Sequence, residues 1–177
     1  MSANARHVVL VGLMGVGKTT VGQLVATTLQ RPFVDSDAVI EAATGRTVRD
    51  IWLRDGEPVF RALETAALRN ALESEMPTVI AAAGGIVLSI ENRTLLKAGA
   101  AFVVWLTADP STLVARAQRG HHRPLLDGDA DAALQAMAIE RESMYRDVAD
   151  VTVDAGERSI DDVATAVIAA FRVAARE

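Results

Sequence analysis

The stretch "HVVLVGLMGVGKTT", residues 7–20, constrains the fold of this chain more than any other. Residues 7–11 form an apolar, β-branched run without polar alternation, the pattern of a strand buried on both faces. Such a strand belongs in a parallel sheet with helices above and below it. Glycines follow, and helical sequence runs from Lys18 to about Gln30, so the stretch opens a strand–turn–helix unit.

The same alternation continues to the end of the chain. "PFVD" reads as a second strand, and helical segments follow at residues 38–43, in "TVRDIWL" and across residues 57–74. In the last of these Phe60, Leu63, Ala67 and Ala71 recur at helical spacing, so one side faces a core. "TVIAA" is the third strand, residues 91–98 a helix, and "AFVVWL" the fourth strand. Helical sequence at 111–118 is interrupted by the basic stretch "RGHHRPLLDGD". A helix at 130–148, the strand "DVTVD" and a helix at 160–174 complete the chain. Without a repeat, a low-complexity tract or a linker, residues 1–177 are expected to form one α/β domain, a five-stranded parallel sheet between helical layers.

Composition excludes several classes of function. A formal net charge of −5 implies no basic surface for general nucleic-acid or anionic-membrane binding, so any anion site must be local. The chain has no cysteine, which removes disulfides, thiolate metal sites and thiol nucleophiles and fits a reducing compartment. No apolar run reaches the roughly 18 to 20 residues that span a bilayer. A soluble, cytoplasmic protein is expected.

Chemistry is concentrated in four places. "GLMGVGKT", residues 12–19, matches G-x-x-x-x-G-K-[ST] without mismatch and stands between strand and helix as that motif requires. Gly12, Gly15 and Gly17 let the backbone curl so that its N–H groups, those of Met14, Val16 and Thr20 included, converge on phosphate oxygens. Lys18 supplies a point charge for the β- and γ-phosphates, and Thr19 a hydroxyl for magnesium. Asp35 and Asp37 close the second strand, at the sheet edge where open α/β folds bind ligands. Strand alternation lets one of them face the site, and a turn beginning at Ser36 would admit both. Asp37 can alternatively serve as the N-cap of a helix starting at Ala38.

Glu57, Arg61 and Glu64 lie four and three residues apart, on one helix face. They form either a solvated ion pair or an arginine held rigid to receive a carboxylate. Arg116, Arg119 and Arg123 cluster around His121 and His122, which suggests a mobile flap over polyphosphate, or else an ordinary solvated loop. Adjacent histidines without cysteines are poor zinc spacing. Arg141 and Arg146 carry no pattern that distinguishes them from surface charges.

Taken together, "GLMGVGKTT", "FVDSDAVIEAATGRTVRDIW", "DGEPVFRALE", "AGGIVLSIENR", "RPLL" and the Arg141–Tyr145 spacing in "RESMYRDVAD" resemble the shikimate kinases over nearly the whole chain. These are small P-loop enzymes of the nucleoside monophosphate kinase-like fold. The resemblance implies a three-layer P-loop fold with strand order 2-3-1-4-5, a substrate-binding helical region at about 37–65 and a mobile lid at about 117–129. It implies Asp37 as the residue that binds ring hydroxyls and accepts the proton, with Lys18 and Arg123 beside the transferred phosphoryl group. It places Arg61 and Arg141 on the acceptor carboxylate, Gly84 and Gly85 on the ring, and Asp35 on Mg²⁺ through water, beside Thr19. Arg116 and Arg158 fall where the family holds adenine. ATP and shikimate are then the partners, of a monomer.

Two departures stand out, Ala83 where the family usually has a first glycine, and Ser143-Met144 where it usually has Pro-Leu. Neither removes a charge. Two other readings remain open, a kinase for another carboxylated polyol or cyclitol, and a kinase-like metabolite-binding module without turnover. Lys18, Thr19, Asp35 and Asp37 together speak against the module.

Overall fold

The computed structural model describes residues 6–117 and 130–176. Among the described residues five strands form one parallel sheet: β1 (His7–Val11), β2 (Phe33–Asp35), β3 (Val79–Ala81), β4 (Ala101–Thr107) and β5 (Val151–Asp154). Their order is β2-β3-β1-β4-β5, as expected. β1 is central, with Val8 opposite Val79 on one side and Phe102 on the other, and all five of its residues are buried. Its unbroken apolar run therefore has a direct cause, because neither face of the strand meets water.

Among the described residues eight α-helices accompany the sheet: α1 (Lys18–Leu29), α2 (Ser36–Thr44), α3 (Val48–Asp55), α4 (Glu57–Leu72), α5 (Ile90–Lys97), α6 (Pro110–Ala117), α7 (Ala130–Val148) and α8 (Ile160–Ala174). α1 packs on α8. From α8 the core receives Val163, Ala164, Val167, Ile168 and Phe171, and the Phe171 ring meets Phe102 of β4 edge-on at 5.5 Å. Each of the larger of these side chains contributes about 1.5–3 kcal/mol of burial, which holds the last helix against the sheet. α5 and α7 pack on each other and on β4, forming the other helical layer.

A second apolar cluster, Ile40, Ile51, Phe60 and Ala67, joins α2, α3 and α4 beside the main core. Trp52 packs edge-on against Phe60 in it, with ring centroids 5.6 Å apart. The helical spacing of Phe60 and Ala67 is explained by this cluster.

Two local features differ from the sequence expectation. α2 begins at Ser36, two residues early, because the Asp35 carboxylate accepts from the N–H groups of Asp37 and Ala38 and closes its first turn. Asp35, and not Asp37, is the N-cap. After β3 the chain makes a 3₁₀ turn at Ile86–Leu88 that apolar periodicity did not announce. In a parallel sheet the C-terminal ends of neighbouring strands share one edge, so the segments leaving β2, β3 and β1 converge there.

Candidate active site

The turn between β1 and α1 is shaped by backbone that only glycine tolerates. Gly12 adopts φ 140°, and a Cβ there would lie 2.3 Å from the Leu106 carbonyl oxygen. Gly17, at φ 99°, is the N-cap of α1, whose first residues are Lys18, Thr19 and Thr20. Met14 and Val16 turn inward and are buried in the main core, which anchors the loop from beneath. The Lys18 ammonium donates to the carbonyls of Gly12 (2.8 Å) and Leu13 (3.0 Å), lying back along the loop it belongs to. The loop ends at a helix N-terminus, where N–H groups and the helix dipole favour phosphate.

A cleft of about 200 Å³ opens on this loop. Gly15, Gly17, Lys18, Thr19 and Thr20 line one wall, Asp35 and Asp37 another, and Ala81, Ala82, Ala83 and Gly84 its floor. Both aspartates reach the cleft because β2 ends and α2 begins at Ser36, the geometry that admits two neighbouring carboxylates. Thr19 Oγ1 donates to Asp35 Oδ2 at 2.6 Å, so the first turn of α1 and the start of α2 are directly joined. Buried Ser36 accepts the Ala83 N–H at 2.8 Å and fixes α2 to the segment after β3.

The Glu57–Arg61–Glu64 cluster is only partly solvated, since Glu57 is exposed while Glu64 is buried beneath the arginine. Arg61 Nη1 binds Glu64 Oε2 at 2.5 Å, and Nε and Nη2 bind Glu57 Oε1 at 3.1 and 2.9 Å. Glu64 is 1% exposed. The Arg61 guanidinium also lies 5.3 Å from the Trp52 ring, a cation–π distance. Burial opposes the charge on Arg61, but Glu64 and Glu57 outweigh it and its pKa is raised. Burial pushes the Glu64 carboxyl up to about 7, with Arg61 pulling the other way and Asp37 reinforcing the rise. Among the described residues Glu64 Oε1 has no hydrogen-bond partner although it is buried.

Arg141 of α7 is buried, contrary to its surface-like appearance in the sequence, and its Nη1 donates to the Gly84 carbonyl at 3.3 Å. Tyr145, one turn further along α7, donates to the same oxygen at 2.5 Å. A Cβ on Gly85 would fall 1.9 Å from Arg61 Nη1, and one on Gly84 would lie 3.4 Å from the phosphate-loop backbone at Gly12 and Met14. Smallness at Gly85 thus accommodates Arg61, whereas a Cβ on Gly84 would make ordinary contact with the loop. The Ser143-Met144 departure leaves α7 continuous and the Tyr145 bond to Gly84 intact.

At the opposite end of the loop, Arg116 donates to the carbonyls of Ala155 (3.0 Å) and Gly156 (2.5 Å) in the turn after β5. Arg158 follows in that turn and donates to the Asp162 carbonyl. The turn adjoins the phosphate loop, since a Cβ on Gly17 would lie 3.8 Å from Ile160 Cδ1. Arg123, Arg119, His121 and His122 lie outside the described residues, as does the expected lid apart from its first residue. Sequence reasoning gave Ser36 a part only as the start of a turn, and gave Tyr145 and Trp105 no role in the site. For Tyr145 a signal existed, since it stands four residues from Arg141 and shares its helix face.

Sheet order, a complete phosphate loop and carboxylates at the neighbouring strand end define a P-loop kinase of the nucleoside monophosphate kinase-like fold. A profile of the shikimate kinase family matches residues 14–172. The shikimate kinase of Symbiobacterium thermophilum is 46% identical over 165 residues, 92% of this chain and 94% of that protein. The shikimate kinase of Acinetobacter baumannii, solved in complex with shikimate, superposes with a TM-score of 0.88 at 35% identity, covering 92% of this chain and 90% of that one. A gluconokinase from Sinorhizobium meliloti, 21% identical with a TM-score of 0.61 over 97% of this chain and 94% of that one, shares the fold alone. The chain belongs to the shikimate kinase family.

Proposed function

We propose that this protein transfers the γ-phosphoryl group of ATP to the 3-hydroxyl of shikimate, giving 3-phosphoshikimate and ADP. The observation that carries this reading is the shared cleft, in which the phosphate loop faces Asp37 across the Ala83–Gly84 floor. Asp37 binds the acceptor hydroxyl and takes its proton as the new O–P bond forms, while the β,γ P–O bond breaks and ADP departs with those electrons. Lys18 and Arg123 hold the transferred group, and the loop amides and the Arg116–Arg158 turn hold the nucleotide. Arg61, fixed by two carboxylates, and Arg141 receive the shikimate carboxylate, with Gly84 and Gly85 against the ring. α2 to α4 form the acceptor-binding region.

The chemistry of Thr19 and Asp35 fits a magnesium ion, because their oxygens already meet at the loop. Among the described residues no three His, Asp or Glu side chains cluster as a metal cage, which suits an ion held chiefly by phosphate oxygens and water. When bound, Mg²⁺ supplies charge stabilisation to the phosphates. Among the described residues no helix is long and apolar enough to cross a membrane. On this reading the enzyme works in the cytoplasm and is a monomer, and sedimentation of the purified chain checks the monomer.

The test is ADP release with and without shikimate, in wild type and Asp37→Asn. Shikimate-dependent turnover that falls about 10²- to 10⁴-fold in the variant is the expected result. Unaltered turnover in Asp37→Asn removes its role, faster turnover of another carboxylated polyol changes the acceptor, and no turnover with any acceptor defeats the reading.

A further inference from the structure

The Gly84–Gly85 peptide sits at the meeting point of β3, α4 and α7 and is bounded by glycine on both sides. Peptide planes between glycines rotate readily, since no Cβ resists the change, so an external hold is needed to give such a plane one orientation. Tyr145 supplies a rigid one. It is the largest fully buried side chain among the described residues, and its hydroxyl donates to the Gly84 carbonyl at 2.5 Å. Its ring lies nearly parallel to Trp105 of β4, with centroids 5.8 Å apart and planes 17° apart, so the ring cannot carry the hydroxyl elsewhere. Burial raises the pKa of the phenol, against the pull of Arg141, which keeps it a donor. Arg141 Nη1 shares the same carbonyl at 3.3 Å. Because the peptide is trans and planar, a carbonyl fixed toward α7 turns the Gly85 N–H away from α7.

We infer that Tyr145 is a positioning residue for acceptor recognition. Its hydroxyl locks the Gly84–Gly85 peptide and, through the shared carbonyl, aims Arg141. The inference rests on the acceptor site proposed above. Tyr145→Phe tests it, since the ring, its volume and the stack on Trp105 survive and only the donor is lost. The KM for shikimate rises about five- to tenfold, as loss of one oriented hydrogen bond implies, while the KM for ATP stays within about twofold. In the ligand-free variant the Gly85 amide resonance moves and its hydrogen exchange quickens. An unchanged shikimate KM, or equal losses for both substrates, overturns the positioning role. Wild-type protein without shikimate-dependent turnover defeats the acceptor reading itself. An unmoved Gly85 resonance defeats this inference whatever the turnover.

Discussion

Gly85→Ala isolates Arg61, the arginine proposed to receive the acceptor carboxylate, from the rest of the site. Gly85 has φ −92° and ψ 0°, a conformation open to alanine, so the substitution carries no backbone strain. Its cost lies in space, because the new Cβ would fall 1.9 Å from Arg61 Nη1 and 2.5 Å from Cζ. Ordinary contact requires the guanidinium to retreat by about 1.5 Å. Arg61 ends a flexible side chain and can move, but only by loosening its bonds to Glu64 and Glu57. A charge-assisted hydrogen bond contributes about 1.5–3 kcal/mol, so losing the arginine's aim lowers kcat/KM for shikimate by about 10- to 100-fold. The KM for ATP should stay within about twofold, since nothing on the nucleotide side moves. Steady-state assays with each substrate varied in turn measure both effects. Emission from Trp52 gives an independent readout, because the guanidinium lies 5.3 Å from its ring. A shikimate KM within about twofold of wild type, with Trp52 emission unaltered, refutes the reasoning.

Three further outcomes are expected. Gly12→Ala puts a Cβ 2.3 Å from a main-chain oxygen at positive φ, so it destabilises the fold by about 2–4 kcal/mol, read as a lowered midpoint in urea. Arg116→Ala frees the Ala155 and Gly156 carbonyls and raises the KM for ATP several-fold, about the value of one or two hydrogen bonds, with the shikimate KM unchanged. Glu64 binds its proton more tightly in the folded than in the unfolded chain, with a pKa raised from 4.5 to about 7. Its contribution to stability is therefore complete below pH 4.5 and is lost as pH rises through about 7. Glu64→Gln flattens that part of the stability profile in urea titrations from pH 4 to 8, and an unchanged slope counts against the assignment.

The sheet was legible because its central strand must be apolar on both faces, and the phosphate loop because positive φ and close approach leave little choice but glycine. Asp35 and Asp37 were legible as a pair but not in their division of labour. Capping depends on where α2 starts, and a shift of two residues moved that role from one carboxylate to the other. The Glu57–Arg61–Glu64 spacing gave helix proximity, yet Glu64 is buried and feels Asp37 and Arg141, which lie on other elements, and a local pattern does not carry that. Arg141 looked like a surface charge for the same reason, as its partner next in sequence is the exposed Glu140 and another is a main-chain carbonyl 57 residues away. The bond from Ala83 N–H to Ser36 Oγ, across 47 residues, had no sequence signal at all.

The two carboxylate oxygens of Asp35 bear on how the proposed magnesium site can be studied. One oxygen caps α2 through two main-chain amides, and the other receives the Thr19 hydroxyl. Replacing Asp35 therefore disturbs the start of a helix and the link to the phosphate loop at the same time as any cation, and activity lost in such a variant has three inseparable sources. Varying the ion leaves the carboxylate in place. Titrating wild-type protein with Mg²⁺, Mn²⁺ and Ca²⁺, and comparing their half-saturating concentrations, interrogates the metal while every hydrogen bond to Asp35 remains encoded in the chain.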